Sequence, residues 1–262
     1  MRQLETNLHT NKYQRLSVQI SLNGLSFLIT DENQNQILFE NEEWFYATTP
    51  FELLTELENL LNKLPKATSF EKVSVIYATS VYTVVPEVLF DERKASEYLK
   101  FNSKILVNDY ISHDQLDVLN LVVVYVPLMN INNALFDKLG SFEYFHLATV
   151  LMDAFYKIHD KSETRVFLHV CDSSLDCVVF KEDRLELCNS YPYASPEDFL
   201  YYLLFMMEQL KLNPDKIPIS LCGEIQENDA IHELLYKYIR HIDFIPKHNS
   251  EEKIPFSLQK IV

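Results

Sequence analysis

From residue 16 the apolar positions alternate with polar ones. "RLSVQIS" and "GLSFLITD" are short runs rich in β-forming side chains, and they meet at Asn23-Gly24, the pair most typical of a tight hairpin turn. A third run, "QILFENEEWFYA", follows "ENQNQ", so the pattern predicts a three-strand meander. The period then changes. In "PFELLTELENLLNKL", Leu53, Leu54, Leu57, Leu60, Leu61 and Leu64 recur every three or four residues behind Thr49 and Pro50 as a start signal, which predicts a helix. "KVSVIYAT" then reads as a buried strand.

The same order returns about 145 to 150 residues later. Strands are expected at 165 to 171, 174 to 181 and 185 to 191, then a helix from about Ser195 to Leu212 and a strand, "IPISLCG". Ser195 supplies an N-cap, Pro196 a first-position proline, and Glu197 and Asp198 place acids on the positive end of the helix dipole. Between these blocks lie "VYTVVPEVLF", a charged helical stretch "DERKASEYLKFN", a strand "KILVND" and a long strand "LDVLNLVVVYVPLM". Helices are expected around "NNALFDKLG" and "YFHLATVLMDAFYKIH". Beyond "ISLCGEI" the pattern predicts a helix, "NDAIHELLYKYIRHI", and an edge strand, "IPFSLQKIV". The chain thus reads as a polar arm (1–14), a first half (15–145) with inserted strands and a helix at about 80–115, and a second half (146–262). Residue identity between the halves is weak, so the repeat is one of pattern.

Composition narrows the classes. Of 262 residues 47% are hydrophobic and 23% charged, enough for one large or two ordinary cores. The net charge of −15 repels phosphate backbones and anionic lipid over most of the surface, so neither nucleic acid nor a membrane is an expected partner. The longest apolar run, "FLYYLLFMM", is half of a membrane span, and "MRQLETNLHTNKYQRL" lacks the apolar core of an export signal. Cys171, Cys177, Cys188 and Cys222 sit in apolar runs, as reduced core thiols do. A cytoplasmic location without disulfides is the expectation. Glycine is scarce, three residues against an average of roughly 7%. Only Gly24, Gly140 and Gly223 could serve a phosphate loop, where the backbone must approach its ligand closely.

Three antiparallel strands, a helix and a parallel strand, used twice, resemble the ribonuclease-H-like layout in its duplicated form, the actin-like ATPase superfamily. "TVVPEVLFDERKASEYLKFN" and "FEYFHLATVLMDAF", in that order between two such halves, look like a Bacteroidetes family of unknown function assigned to that superfamily. Pilus-assembly scaffolds with an actin-like fold share the outline. The resemblance implies an α/β fold of two ribonuclease-H-like halves and a cleft for Mg-ATP between two phosphate hairpins. On the first hairpin, "VQISLNGLSFLI", Ser21 stands where active members carry a metal-holding Asp, while Asn23 and Gly24 keep the turn. On the second, "HVCDSSLDCVVF", His169 takes the Asp position and Cys171 the Gly position. Asp172, Ser173 and Ser174 form the turn, and Asp176 is the acid left in the strand. The adenosine-side glycine pair falls on "ISLCGEI", where Gly223 is kept and Glu224 replaces the second glycine. Each departure weakens Mg-nucleotide binding: charge that would hold the metal is lost, and Glu224 adds like charge near a polyanion.

Asn23, Gly24, Asp172, Ser173, Ser174, Asp176 and Gly223 therefore form the candidate remnant of a nucleotide cleft. His169 and Cys171 share a strand face and Cys222 ends a strand expected in the same sheet, but no close-spaced ligand pair accompanies them, so they read as core side chains rather than a metal site or a nucleophile and base. His146 reads as a helix-start or core histidine with one hydrogen bond. Asp91, Glu92, Arg93, Lys94 and Glu97 read as a solvated helix face. Tyr201, Tyr202, Met206 and Met207, on an apolar helix, are types favoured where a partner docks, although burial is the default in such a fold. The leading expectation is a non-catalytic cytoplasmic scaffold that holds an unidentified protein and needs no cofactor. The alternative is a diverged ATP-binding protein or ATPase that uses Mg, with Asp172 or Asp176 at the metal and Ser173 and Ser174 at phosphate. A nuclease of ribonuclease-H type conflicts with the charge balance.

Overall fold

The computed structural model describes residues 14–44, 49–64, 70–101, 103–106, 108–246 and 254–261. The expected arm therefore lies almost wholly outside the described residues, as does the end of the third predicted strand. The chain separates into two compact units, residues 1–150 with 257–262, and residues 151–256.

In the first unit β1 (Gln14–Ser21), β2 (Gly24–Thr30) and β3 (Gln36–Glu43) form the antiparallel meander. Helix α1 (Pro50–Lys63) starts at a reciprocal cap: Thr49 Oγ1 accepts from Glu52 N at 3.3 Å, and Thr49 N donates to Glu52 Oε2 at 2.9 Å. Its leucine stripe is the buried face, with Leu53, Leu57, Leu60 and Leu61 out of solvent. β4 (Phe70–Tyr77) lies parallel to β1. The insertion holds β5 (Tyr82–Pro86), α2 (Ala95–Lys100), β6 (Ser112–Leu116) and β7 (Leu121–Tyr125). Its strands form a separate antiparallel sheet in the order β5-β7-β6, on which Leu99 of α2 is fully buried. α3 (Met129–Leu139) leads to β8 (Glu143–His146), which completes the main sheet as β3-β2-β1-β4-β8. α4 (Leu147–Ile158) carries the chain into the second unit.

There β9 (Thr164–Val170), β10 (Ser174–Lys181), β11 (Arg184–Pro192), α5 (Pro196–Gln209), β12 (Ile219–Gly223), α6 (Ala230–Leu235) and β13 (Ile242–Phe244) repeat the plan in the order β11-β10-β9-β12-β13. Two strand faces, alternating residue by residue, are both covered. Val166, Leu168, Val170, Leu175, Cys177 and Leu221 pack with Phe199, Leu203, Met206 and Met207 of α5 and Leu235 of α6. On the other face Phe167 stacks on Phe155 of α4, with ring centroids 4.8 Å apart. α7 (Phe256–Lys260) buries Phe256 and Leu258, and Ser257 donates a hydrogen bond to Gln19 Oε1 on β1.

Several elements differ from expectation. The long predicted strand is two strands, because the chain reverses through Asp117–Leu119 and Asn120, whose φ of 53° is one that asparagine tolerates well. In "KILVND" the described residues form no strand; Leu106 is exposed, and its N–H is taken by the Asp109 side chain at 2.7 Å. Residues 143–146 are strand β8 rather than the start of a helix. The predicted helix over residues 228–242 stops at Leu235 and gives way to β13. The segment predicted as an edge strand is helix α7. Of the residues proposed for a partner surface, Met206 and Met207 are core, whereas Tyr201 is exposed and stacks on exposed Phe205, centroids 6.0 Å apart. Among the described residues no helix is long and apolar enough to cross a membrane.

Candidate functional site

The first hairpin turns at Leu22 and Asn23, with Ser21 paired to Gly24. Gly24 thus opens β2 rather than forming the turn, and it is not among the residues of positive φ. Close approach explains it: a Cβ there would sit 2.9 Å from the Glu42 carbonyl oxygen of β3. Ser21 Oγ accepts from Asn23 N and donates to Gly24 O, each at 3.2 Å, so the hydroxyl at the expected metal-holding position serves its own turn.

The second hairpin turns at 171–173. Cys171 N donates to Ser174 O at 2.9 Å, and Tyr193 pins the loop from below, its N–H on Ser173 O at 3.1 Å and its hydroxyl on Cys171 O. Asp172 and Ser173 are exposed at the tip, while Ser174 is half-buried and opens β10. Burial raises the Tyr193 pKa above its ordinary value, and neighbouring Cys171, Asp172 and Glu224 add to the rise. Two acids therefore stand near one phenol, where the nucleotide motif would have small neutral residues.

Gly223 has φ of 91°, and a Cβ there would lie 2.2 Å from the Val170 carbonyl oxygen. The next residue, Glu224, donates its N–H to that oxygen at 2.7 Å and exposes its side chain. The glycine is thus required by strand packing within the second unit.

Below the hairpin a polar row crosses the sheet. Antiparallel pairing sets Ser190 opposite Asp176 and Asp176 opposite His169, and parallel pairing sets Cys222 opposite His169. Directly opposed residues project to the same face, so the four line up on the α4 side. His169 Nδ1 is 2.9 Å from Asp176 Oδ2, and Ser190 donates to Asp176 Oδ1. Cys171, two residues along the same face, brings its sulfur within 3.6 Å of the same His169 Nδ1. His169 and Asp176 are buried, whereas Cys171 is half-buried. Burial, the largest influence on His169, opposes its charge; the Cys171 sulfur and the Asp176 carboxylate outweigh it and hold the imidazole pKa well above the ordinary value. His169 and Asp176 form a buried histidine–aspartate pair.

That arrangement is no nucleophilic relay. A cysteine–histidine–carboxylate relay uses both ring nitrogens, the acid on one and the thiol on the other. Here thiol and acid meet one nitrogen, which cannot donate to the carboxylate and accept from the sulfur together. The sequence placed His169 and Cys171 on one face and Cys222 in the same sheet but left out Asp176 as their partner. The signal was present: a turn at 171–173 forces 170 opposite 175 and 169 opposite 176. Tyr193 and Ser190 carried no comparable signal.

In the first unit Asp114 accepts from Tyr125 Oη at 2.8 Å, His146 N at 2.7 Å and Thr149 Oγ1 at 2.6 Å. His146 Nδ1 accepts from Ala148 N at 3.1 Å, so its Nε2–H is the donor to Thr79 O at 2.9 Å. Packed beside Tyr82 and Tyr125, at centroid distances of 4.4 and 5.2 Å, this histidine is a core residue with more than the one bond expected of it. Asp91 joins Arg93 in an exposed ion pair at 3.0 Å, part of the solvated face.

Two sheets of one strand order, each with helices and joined through a single chain, define an α/β protein of duplicated ribonuclease-H-like plan, and solved structures of the actin-like ATPase fold share it. A Bacteroides thetaiotaomicron protein with actin-like ATPase fold and unknown function superposes with a TM-score of 0.81 at 22% identity, covering 91% of this chain and 93% of that one. A chain of a PilM-PilN type IV pilus biogenesis complex superposes with a TM-score of 0.54 at 10% identity, covering 88% of each. No curated protein matches. Residues 3–242 match the family described as "Protein of unknown function (DUF3822)", and the chain belongs to that family.

Proposed function

We propose that this protein is a non-catalytic, cytoplasmic scaffold or assembly partner built on the actin-like ATPase fold. The observation that carries this reading is the second hairpin: on the resemblance, His169 stands at the Asp position of active members and Asp176 is the acid left in the strand, and the two satisfy each other within hydrogen-bond distance at 2.9 Å. To hold Mg through Oδ2, Asp176 would have to give up its bond to His169, and neither His169 nor Cys171 offers the oxygen donors that Mg takes. Exposed Asp172 and Glu224 repel a triphosphate from the same edge. The pilus biogenesis complex is a precedent for this fold as a member of an assembly.

Thermal unfolding with and without millimolar Mg-ATP and Mg-ADP tests the proposal. A ligand at one hundred times its Kd stabilises the native state by about 2.7 kcal/mol. No shift is expected with either nucleotide. A Mg-dependent shift lost in Asp172→Ala or Asp176→Ala overturns the scaffold reading and establishes a diverged Mg-dependent ATP-binding protein.

A further inference from the structure

His169 Nδ1, Cys171 Sγ and Asp176 Oδ2 converge on one point, all within 4.8 Å of one another, and among the described residues they are the one such group of three. We propose that this trio binds a divalent cation of the zinc class, with those three atoms as its protein ligands.

Donor type comes first. Imidazole nitrogen, thiolate sulfur and carboxylate oxygen together suit Zn²⁺, whereas Mg²⁺ and Ca²⁺ take oxygen donors throughout. Spacing is near what the ion needs. Tetrahedral Zn²⁺ with ordinary bond lengths needs about 3.3 Å between nitrogen and oxygen ligands and about 3.6 Å between sulfur and either of them. The nitrogen–oxygen and nitrogen–sulfur separations are 2.9 and 3.6 Å, and all three atoms lie within 4.8 Å, so the carboxylate would move away from the imidazole by roughly 0.4 Å and sulfur and carboxylate would close by up to about 1.2 Å through side-chain rotation.

The surroundings are those of a ligand set. Asp176 is oriented by Ser190, which takes Oδ1 and leaves Oδ2 facing the imidazole. The Tyr193 hydroxyl holds the Cys171 carbonyl and with it the loop. Such outer partners fix the geometry of first ligands. A single nitrogen confronting both a thiol and a carboxylate has one proton to share between two acceptors; a cation in its place meets all three at once. Cys171 is half-buried and gives the ion a way in, while His169 and Asp176 are buried behind it. The fourth position falls to water beside Cys171, or to Cys222, opposite His169 on β12, after rotation of its side chain.

The inference does not rest on the scaffold reading, and either can fail alone. The full chain, stripped with a chelator and dialysed, is titrated with Zn²⁺ against a chromophoric competitor and separately with Co²⁺. One equivalent of tightly held Zn²⁺ and a thiolate-to-cobalt charge-transfer band are expected. Cys171→Ser, at a half-buried position, should weaken binding by at least about tenfold and abolish the band, since even lost outer partners cost about 10–100-fold. Cys188→Ser, a nearby thiol outside the trio, should bind as the wild type does. Folded wild-type protein without stoichiometric uptake, a Co²⁺ complex without thiolate character, or undiminished binding by Cys171→Ser each overturns the proposal.

Discussion

Replacing Gly223 by alanine isolates a backbone requirement that a nucleotide motif would otherwise claim. The residue sits at φ of 91°, and its new Cβ would lie 2.2 Å from O, 3.0 Å from N and 3.1 Å from C of Val170. These are backbone atoms of the central strand β9, so no side chain can swing aside. Positive φ alone costs about 1–3 kcal/mol in a non-glycine residue. Relief of the overlap means parting β12 from β9 at that end, which loses the bond from Glu224 N to Val170 O, net about 0.5–1.5 kcal/mol, with some adjacent packing. The sum is about 2–5 kcal/mol, or a fall in Tm of roughly 4–20 °C at about 2–4 °C per kcal/mol. Gly140→Ala is the control: its φ is 78°, but a Cβ there meets nothing within 4 Å, so it carries the strain without the overlap. Thermal unfolding, with hydrogen exchange followed by mass spectrometry, should show Gly223→Ala as the less stable variant and its lost protection confined to β9 and β12. Equal stability of the two variants, or a Gly223→Ala protein as stable as the wild type, would refute the steric reasoning.

Other perturbations are worth measuring. Asp114→Ala leaves the buried donors of Tyr125, His146 and Thr149 without their acceptor; at about 1–3 kcal/mol each it should cost several kcal/mol in urea unfolding, whereas Asp114→Asn, which keeps most of the bonds, should cost far less. Burial, outweighing those same hydrogen bonds, raises the Asp114 pKa above its ordinary value of 3.8. The folded state therefore holds this proton more tightly than the unfolded chain does: its stabilisation is full below the unfolded pKa and lost as pH rises through the folded one. The stability of the wild type relative to Asp114→Asn should accordingly improve as pH falls from neutrality, and parallel stability–pH curves for the two would contradict this. Ser195→Ala removes the acceptor for Asp198 N, 3.1 Å away, at the start of α5 and should cost about 1 kcal/mol by thermal denaturation followed by circular dichroism.

How legible was all this in the chain itself? The repeated strand order was readable because both meanders alternate cleanly and both helices after them begin at a cap, Thr49 and Ser195. Elements set by tertiary pairing were not. β8 and β13 are four and three residues long, each lies beside a central parallel strand, and each adjoins a helical pattern that hides it. Asn120 reversed a run whose apolar residues read as one continuous strand. At the candidate site, the side chains standing on the two hairpins could be read directly. The pairing of His169 with Asp176 needed only hairpin register, but Ser190 and Tyr193 reach it from a third strand and the loop beyond, at separations that no local pattern encodes.

Ser257 of α7 meets Gln19 across 238 residues of chain. The second unit is therefore an insertion between Val150 and Ser257 of the first, entered once and left once. During synthesis at roughly 5–20 residues per second, Gln19 waits on the order of tens of seconds for its partner on α7. The second unit, contiguous from Leu151 to Phe256, has every one of its strands before that helix emerges. The unit that begins first is thus the one that finishes last, and Gln19 lacks its Ser257 partner for the whole time its neighbour is being made.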